Sequence, residues 1–206
     1  MWDVTWVKGP YLRQVYALHV IMDLYSRKIV GWTLQPREDK KIAATLMEQN
    51  IQAEGHGTVK VVHSDNGAIM TSKDMAKMLT RFGVQQSLIR PSVSNDNPHC
   101  ESVNRTIKHH RLGLAVYDCI AEAETLLSRV IEAYNTTDYH CGIANFIPAQ
   151  VHDGSWEATA RARRDTVGRY YAHHPQRFNR APRIKLPPKR VSINADRPDD
   201  EYLLVR

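Results

Sequence analysis

Cysteine is scarce in this 206-residue chain: Cys100, Cys119 and Cys141 are odd in number and form no Cys-x-x-Cys pair. That excludes a disulfide framework and a ribbon-type zinc site, and leaves reduced thiols. The ten histidines do not replace them as metal ligands, because His109-His110, His140 and His173-His174 lack finger-like spacing. Long apolar runs are missing as well. No stretch approaches a membrane span, and Met1-Trp2-Asp3 lacks the basic-then-apolar layout of a signal peptide. The expectation is a cytoplasmic protein with no membrane partner. Acid is locally depleted: residues 161 to 190 hold ten Arg and Lys against the single Asp165, a charge of +9, whereas the rest of the chain sums to −3. A basic arm on a near-neutral body points to a polyanion such as DNA, with Arg161, Arg163 and Arg164 as its first contacts. A solvated arm without a partner is the alternative.

With 42% hydrophobic and 24% charged residues, the chain can bury one sizeable core and carry an appendage. Residues 2 to 8, 14 to 22 and 28 to 34 read as strands joined by Gly9-Pro10 and by the turn at Asp23 to Arg27, an antiparallel meander. A helix over 38 to 53 carries Ile42, Ala43, Leu46, Met47 and Ile51 on one stripe. A strand at 59 to 63 follows, then a capping box at Thr71-Ser-Lys-Asp74 that opens a helix ended by Gly83, then a strand at 84 to 89. Asn97-Pro98 predicts a capped helix to about His110, and the stripe from Ala123 to Tyr134 predicts a further helix over roughly 121 to 135. From Pro148 the periodicity fades, which puts a boundary near 153: a domain over 1–153 and a basic extension over 154–206. The order predicts an α/β sheet with helices on its faces.

Asp65 stands at the mouth of an apolar strand, in His63-Ser64-Asp65-Asn66-Gly67. It either caps the next turn or acts with other carboxylates, since two-metal phosphoryl transfer requires several acids converging from different elements on a hard cation such as Mg²⁺. Glu101, in the first turn of the helix opened by Pro98, is the second candidate. Asn104, Arg105 and Lys108 share its face, an arrangement suited to holding a metal beside a phosphate backbone. The third acid is Asp3 or Asp23. Asp3 lies inside a strand, where aspartate is disfavoured without a function or a strong hydrogen bond. Asp23 sits at a turn, where it can accept from the backbone near Ser26. His63 is either a core histidine or a group that, with Asn66, orients ligands.

Trp-Asp-x-Thr, Asp-x-x-Ser-Arg-Lys-Ile-Val-Gly-Trp, His-Ser-Asp-Asn-Gly, Asp-Asn-Pro-x-x-Glu and Tyr-Asn-x-x-x-x-His occur in that order over residues 2 to about 153. Together with the 35 residues between Asp65 and Glu101, they resemble the catalytic core of bacterial insertion-sequence transposases related to retroviral integrases. The resemblance implies a ribonuclease-H-like fold, a mixed five-stranded sheet flanked by helices. It also implies an Asp-Asp-Glu triad on Asp3, Asp65 and Glu101, with Asp23 a structural turn. Two Mg²⁺ ions, replaceable by Mn²⁺, would serve cleavage and strand transfer on transposon ends and target DNA. The expected partners are DNA, further copies of the chain, and a protein from an upstream reading frame, because the helical DNA-binding region typical of the family does not precede Trp2-Asp3. A DNA-binding or assembly module without chemistry is the alternative function. A nuclease acting on RNA–DNA hybrids is a weaker one.

Overall fold

A computed structural model describes residues 1–55, 57–90 and 97–193. The meander forms as expected: β1 (Trp2–Lys8), β2 (Val15–Met22) and β3 (Ile29–Gln35) pair antiparallel in the order β1-β2-β3. After α1 (Lys40–Ala53), β4 (Val61–Ser64) pairs in parallel with β5 (Gln85–Leu88), which is reached through α2 (Lys73–Arg81). Then come α3 (Pro98–Lys108), α4 (Ile120–Thr136), α5 (Pro148–Asp153) and α6 (Trp156–His173). The single five-stranded sheet is not continuous. Among the described residues there is a three-stranded and a two-stranded sheet, and β1 runs beside β4 without a shared ladder.

Strand alternation splits the core in two. Leu18, Val20 and Met22 of β2 bury against Val103 and Ile107 of α3 and Leu127, Val130 and Ile131 of α4. Trp2 and Ile21 bury on the opposite face with Met47 and Ile51 of α1 and Met75 and Leu79 of α2. A meander buried on both faces explains why seven of the eight β2 residues are inaccessible. In the α1 stripe, Ala43, Met47 and Ile51 reach the core while Ile42 stays outside. Helix α1 lies so close to β3 that a Cβ on Gly31 would fall 2.1 Å from Asn50 Nδ2, so any larger residue there must displace the Asn50 amide.

Local capping departs from the sequence pattern at three points. Asp39 Oδ1 accepts from the N–H groups of Lys41 and Ile42 and starts α1. Ser72, one residue past the expected Thr71, caps α2 by accepting from Met75 N, while Thr71 Oγ1 donates to the Gly67 carbonyl. Asn97 precedes α3 without a side-chain cap, and its Oδ1 is buried without a partner. The C-terminal end of α4 staples the β2–β3 turn: Asn135 exchanges two 2.9 Å bonds with the backbone of Ile29, and Tyr134 donates to the Arg27 carbonyl.

From Pro148 to His173 the chain is mostly helical, which fading periodicity did not suggest. The residues are arginine and alanine, good helix formers that need no apolar stripe. Gly154, at φ 84°, separates α5 from α6 close to the expected boundary. The first turns of α6 nevertheless pack on the rest of the chain, with Trp156 and Ala160 against Phe146, Ile143 and Val151. No helix among the described residues is long and apolar enough to cross a membrane.

Candidate active site

In β1, Trp2 and Val4 face the α1/α2 core, so alternation turns Asp3 to the opposite face with Val7, toward α3. There Asn104, one turn along α3 from Glu101 and itself buried, donates its Nδ2 to Asp3 Oδ2 at 2.6 Å. Asp65 follows β4 directly. Its Oδ1 accepts from Gly67 N at 2.9 Å, and a Cβ on Gly67 would come within 3.0 Å of that oxygen. Asn66 Nδ2 ties the same turn to the Ile89 carbonyl. Glu101 is exposed and its carboxylate has no hydrogen-bond partner among the described residues.

These three acids share one electrostatic neighbourhood. The Asp3 carboxyl is pushed up to about 6, first by burial, then by the charge of Asp65 and, more weakly, of Glu101. The Val4 backbone bond and Lys108 oppose that rise. Burial holds the Lys108 ammonium below its ordinary value, with Asp3 pulling the other way. The corner is open: among the described residues, no three His, Cys, Asp or Glu groups stand close enough to enclose one cation. The charges of Asp65 and Glu101 raise the proton affinity of Asp3, and a hard divalent ion held by these carboxylate oxygens would relieve that repulsion. Asp23 is elsewhere, its Oδ2 accepting from Ser26 N at 2.8 Å and Ser26 Oγ at 2.6 Å in the β2–β3 turn.

The remaining candidates divide. His63 is buried and bonds Ser87 Oγ of β5 at 2.9 Å through Nδ1, so it ties the two parallel strands together. Arg105 is exposed and lines an open cleft with Ser102, Thr106, His109, Arg111 and Asp138. Asn104, expected at the DNA surface, is committed to Asp3. Arg161 is exposed, 3.8 Å from Glu157, and Arg164 is exposed. Arg163 turns inward, its guanidinium 4.2 Å from the Phe146 ring centre and donating to the carbonyls of Ala144 and Asn145. It holds α6 in place and does not project with its neighbours. Sequence reasoning did not find this docking role. The signal was available in the aromatic-rich segment Tyr139 to Phe146, which offers a cation a ring to cover.

Residues 1–94 and 82–148 each match a family described as integrase core domain. The chain is 32% identical over 142 residues to the transposase for insertion sequence element IS904 of Lactococcus lactis subsp. lactis (strain IL1403), covering 68% of this chain and 55% of that one. It is 28% identical over 91 residues to transposase InsF for insertion sequence IS3A of Escherichia coli (strain K12), covering 44% and 32%. Among solved structures, the simian T-cell lymphotropic virus intasome in complex with PP2A regulatory subunit B56 gamma superposes with a TM-score of 0.57 at 21% identity, over 73% of this chain and 53% of that one. The HTLV-2 integrase catalytic core domain in complex with magnesium (trimeric form) gives 0.54 at 18%, over 73% and 94%. The fold is thus the ribonuclease-H-like α/β fold of integrase cores. The chain belongs to the integrase-core family, and the curated relatives it resembles are insertion-sequence transposases. It spans about half the length of the IS904 relative.

Proposed function

We propose that this chain cuts and joins DNA strands during transposition, as a metal-dependent polynucleotidyl transferase. The observation that carries the reading is the shared neighbourhood of Asp3, Asp65 and Glu101, contributed by β1, the end of β4 and α3. Asp3, Asp65 and Glu101 would hold two Mg²⁺ ions, or Mn²⁺ in their place, which when bound supply Lewis acidity to the phosphoryl group and to the attacking oxygen. The magnesium in the solved HTLV-2 core supports that choice of ion. The chain's own part is positional. Asn104 fixes one oxygen of Asp3 so that the other stays available. The Gly67 amide and the Asn66 tie hold the Asp65 turn, and His63 braces the strand end before it. Arg105 and Lys108, on the accessible side of α3, supply cations for the phosphates flanking the scissile bond.

Residues 1–153 are assigned to catalysis and 154–206 to a basic extension whose first turns dock on the core and whose later arginines contact DNA. The substrates are the element's ends and target DNA. The chain works as a homo-oligomer, in the cytoplasm, with a helical DNA-binding region supplied upstream or from another reading frame. A second reading, a DNA-binding or assembly module without chemistry, draws on the openness of the acidic corner. One assay separates the two: the chain joined to an upstream DNA-binding region and given labelled element ends. Cleaved and joined products in Mg²⁺ or Mn²⁺, absent with EDTA, are expected. Products that persist in EDTA would sink the mechanism, and no products with either metal would favour the module.

A further inference from the structure

On another side of the first turn of α3 the charge is reversed. Arg27, in left-handed backbone at φ 66°, closes the β2–β3 turn with its side chain only 6% exposed, and both Nε and Nη1 are buried without a hydrogen-bond partner. An unpaired buried guanidinium is costly, and proteins ordinarily give one a carboxylate. Asp23, the acid within electrostatic reach, is occupied by Ser26. Two imidazoles lie within electrostatic reach of Arg27 instead, those of His99 in the first turn of α3 and His140 beside the Cys141–Ile143 turn. His140 Nδ1 accepts from Gly142 N at 3.1 Å, which leaves the proton of the neutral ring on Nε2 as a donor. A Cβ placed on Gly142 would lie 3.3 Å from His140 Nδ1 and 3.9 Å from Arg27 Nε, so this exposed glycine is the thin cover over both groups. Helix α3 is eleven residues long, Asn97 gives it no side-chain cap, and the N-terminal end of its dipole adds a positive pole on the same side.

We propose that Arg27, His99, His140 and the N-terminus of α3 form a binding site for a phosphate-class oxyanion. Its donors are the unpartnered guanidinium N–H groups and the imidazole N–H groups, beside the positive pole of α3, and among the described residues no acid hydrogen-bonds to them. The oxyanion is either free phosphate or a backbone phosphate of DNA lying across the α3 N-terminus, on the side of that helix away from Lys108. The first source does not depend on the transferase reading.

The test uses the full chain without metal or nucleic acid. Its melting temperature is compared in inorganic phosphate at tens of millimolar and in sodium chloride of equal ionic strength. Phosphate should raise it by about 3 °C or more. The rise should vanish in Arg27→Gln and in the double variant His99→Gln/His140→Asn. That double variant keeps an acceptor for Gly142 N and serves if the buried Arg27 change prevents folding. A second arm measures duplex DNA affinity against salt. If free phosphate has no effect but the double variant lowers the slope of log K on log salt by about 0.9, one contact, the oxyanion is a DNA phosphate. A rise of the same size in all variants, or no phosphate effect together with an unchanged slope, overturns the site.

Discussion

Helix α3 stands between two corners of opposite charge. Along its side, Asp3, Asp65 and Glu101 collect negative charge with Lys108 as the one cation that Asp3 senses from that helix. At its N-terminus, Arg27, His99 and His140 collect donors with no acid paired to them among the described residues. Ordinary stabilising design would have paired such groups across a few ångströms. Keeping them apart on rigid elements costs stability in the free protein, a cost that the proposed divalent cation would offset at one corner and the proposed oxyanion at the other. The scaffolds differ too. The acidic corner is built on strands β1 and β4 and on α3 itself, whereas the cationic corner hangs on a turn that α4 staples down.

That difference makes Asn135 the place to break the comparison. Asn135→Ala removes both bonds to Ile29 and strands two buried backbone groups, so a loss of about 2–4 kcal/mol is expected in chemical denaturation. The phosphate response of the cationic corner should be lost, while Mg²⁺ still raises the melting temperature through the acidic one. Loss of both responses in a folded variant would show that the corners are not separately built.

Asp3→Asn sharpens the acidic side through pH. Because the folded carboxyl is raised to about 6, below roughly pH 4 both folded and unfolded chains keep the proton and Asp3 costs nothing. Between 4 and 6 the unfolded chain releases it first, so stability falls as pH rises, and above 6 the cost is complete. Without metal, Asp3→Asn should therefore be more stable than the parent at pH 7.5, by on the order of 1–3 kcal/mol, with the gap closing near pH 4. Equal melting curves across that range would show that the carboxylates do not repel one another as described.

A smaller effect tests the basic side. Arg163→Ala should cost about 1–2 kcal/mol by undocking α6 while leaving the salt dependence of DNA affinity in place. Truncation after His173 should do the reverse, flattening the salt slope with little change in melting temperature. A truncation that leaves the slope untouched would remove DNA contact from the extension.

Much of the acidic corner was legible because its parts violate local preference: an aspartate inside a Val- and Trp-rich strand, and a hydrogen-bonding cluster ending an apolar run. The meander and α1 to α4 followed from period and breakers. The cationic corner was not legible, since Arg27, His99 and His140 are far apart in sequence and nothing local distinguishes a buried arginine from an exposed one. Helix α6 was missed because only its first turns, at Trp156 and Ala160, and one docked arginine pack on the core, and no apolar stripe runs along the rest. The two-part sheet depends on how β1 and β4 run side by side without a shared ladder, which no single segment records.

The central claim, that Asp3 and not Asp23 completes the acidic corner, is tested most directly by strand transfer in two charge-neutralising variants, with the upstream DNA-binding region joined. Asp3→Asn should lower the rate by roughly 10³-fold or more while the protein stays folded. Asp23→Asn should keep measurable activity, because an amide oxygen still accepts from Ser26. An active Asp3→Asn protein, or an inactive but folded Asp23→Asn protein, would contradict the assignment.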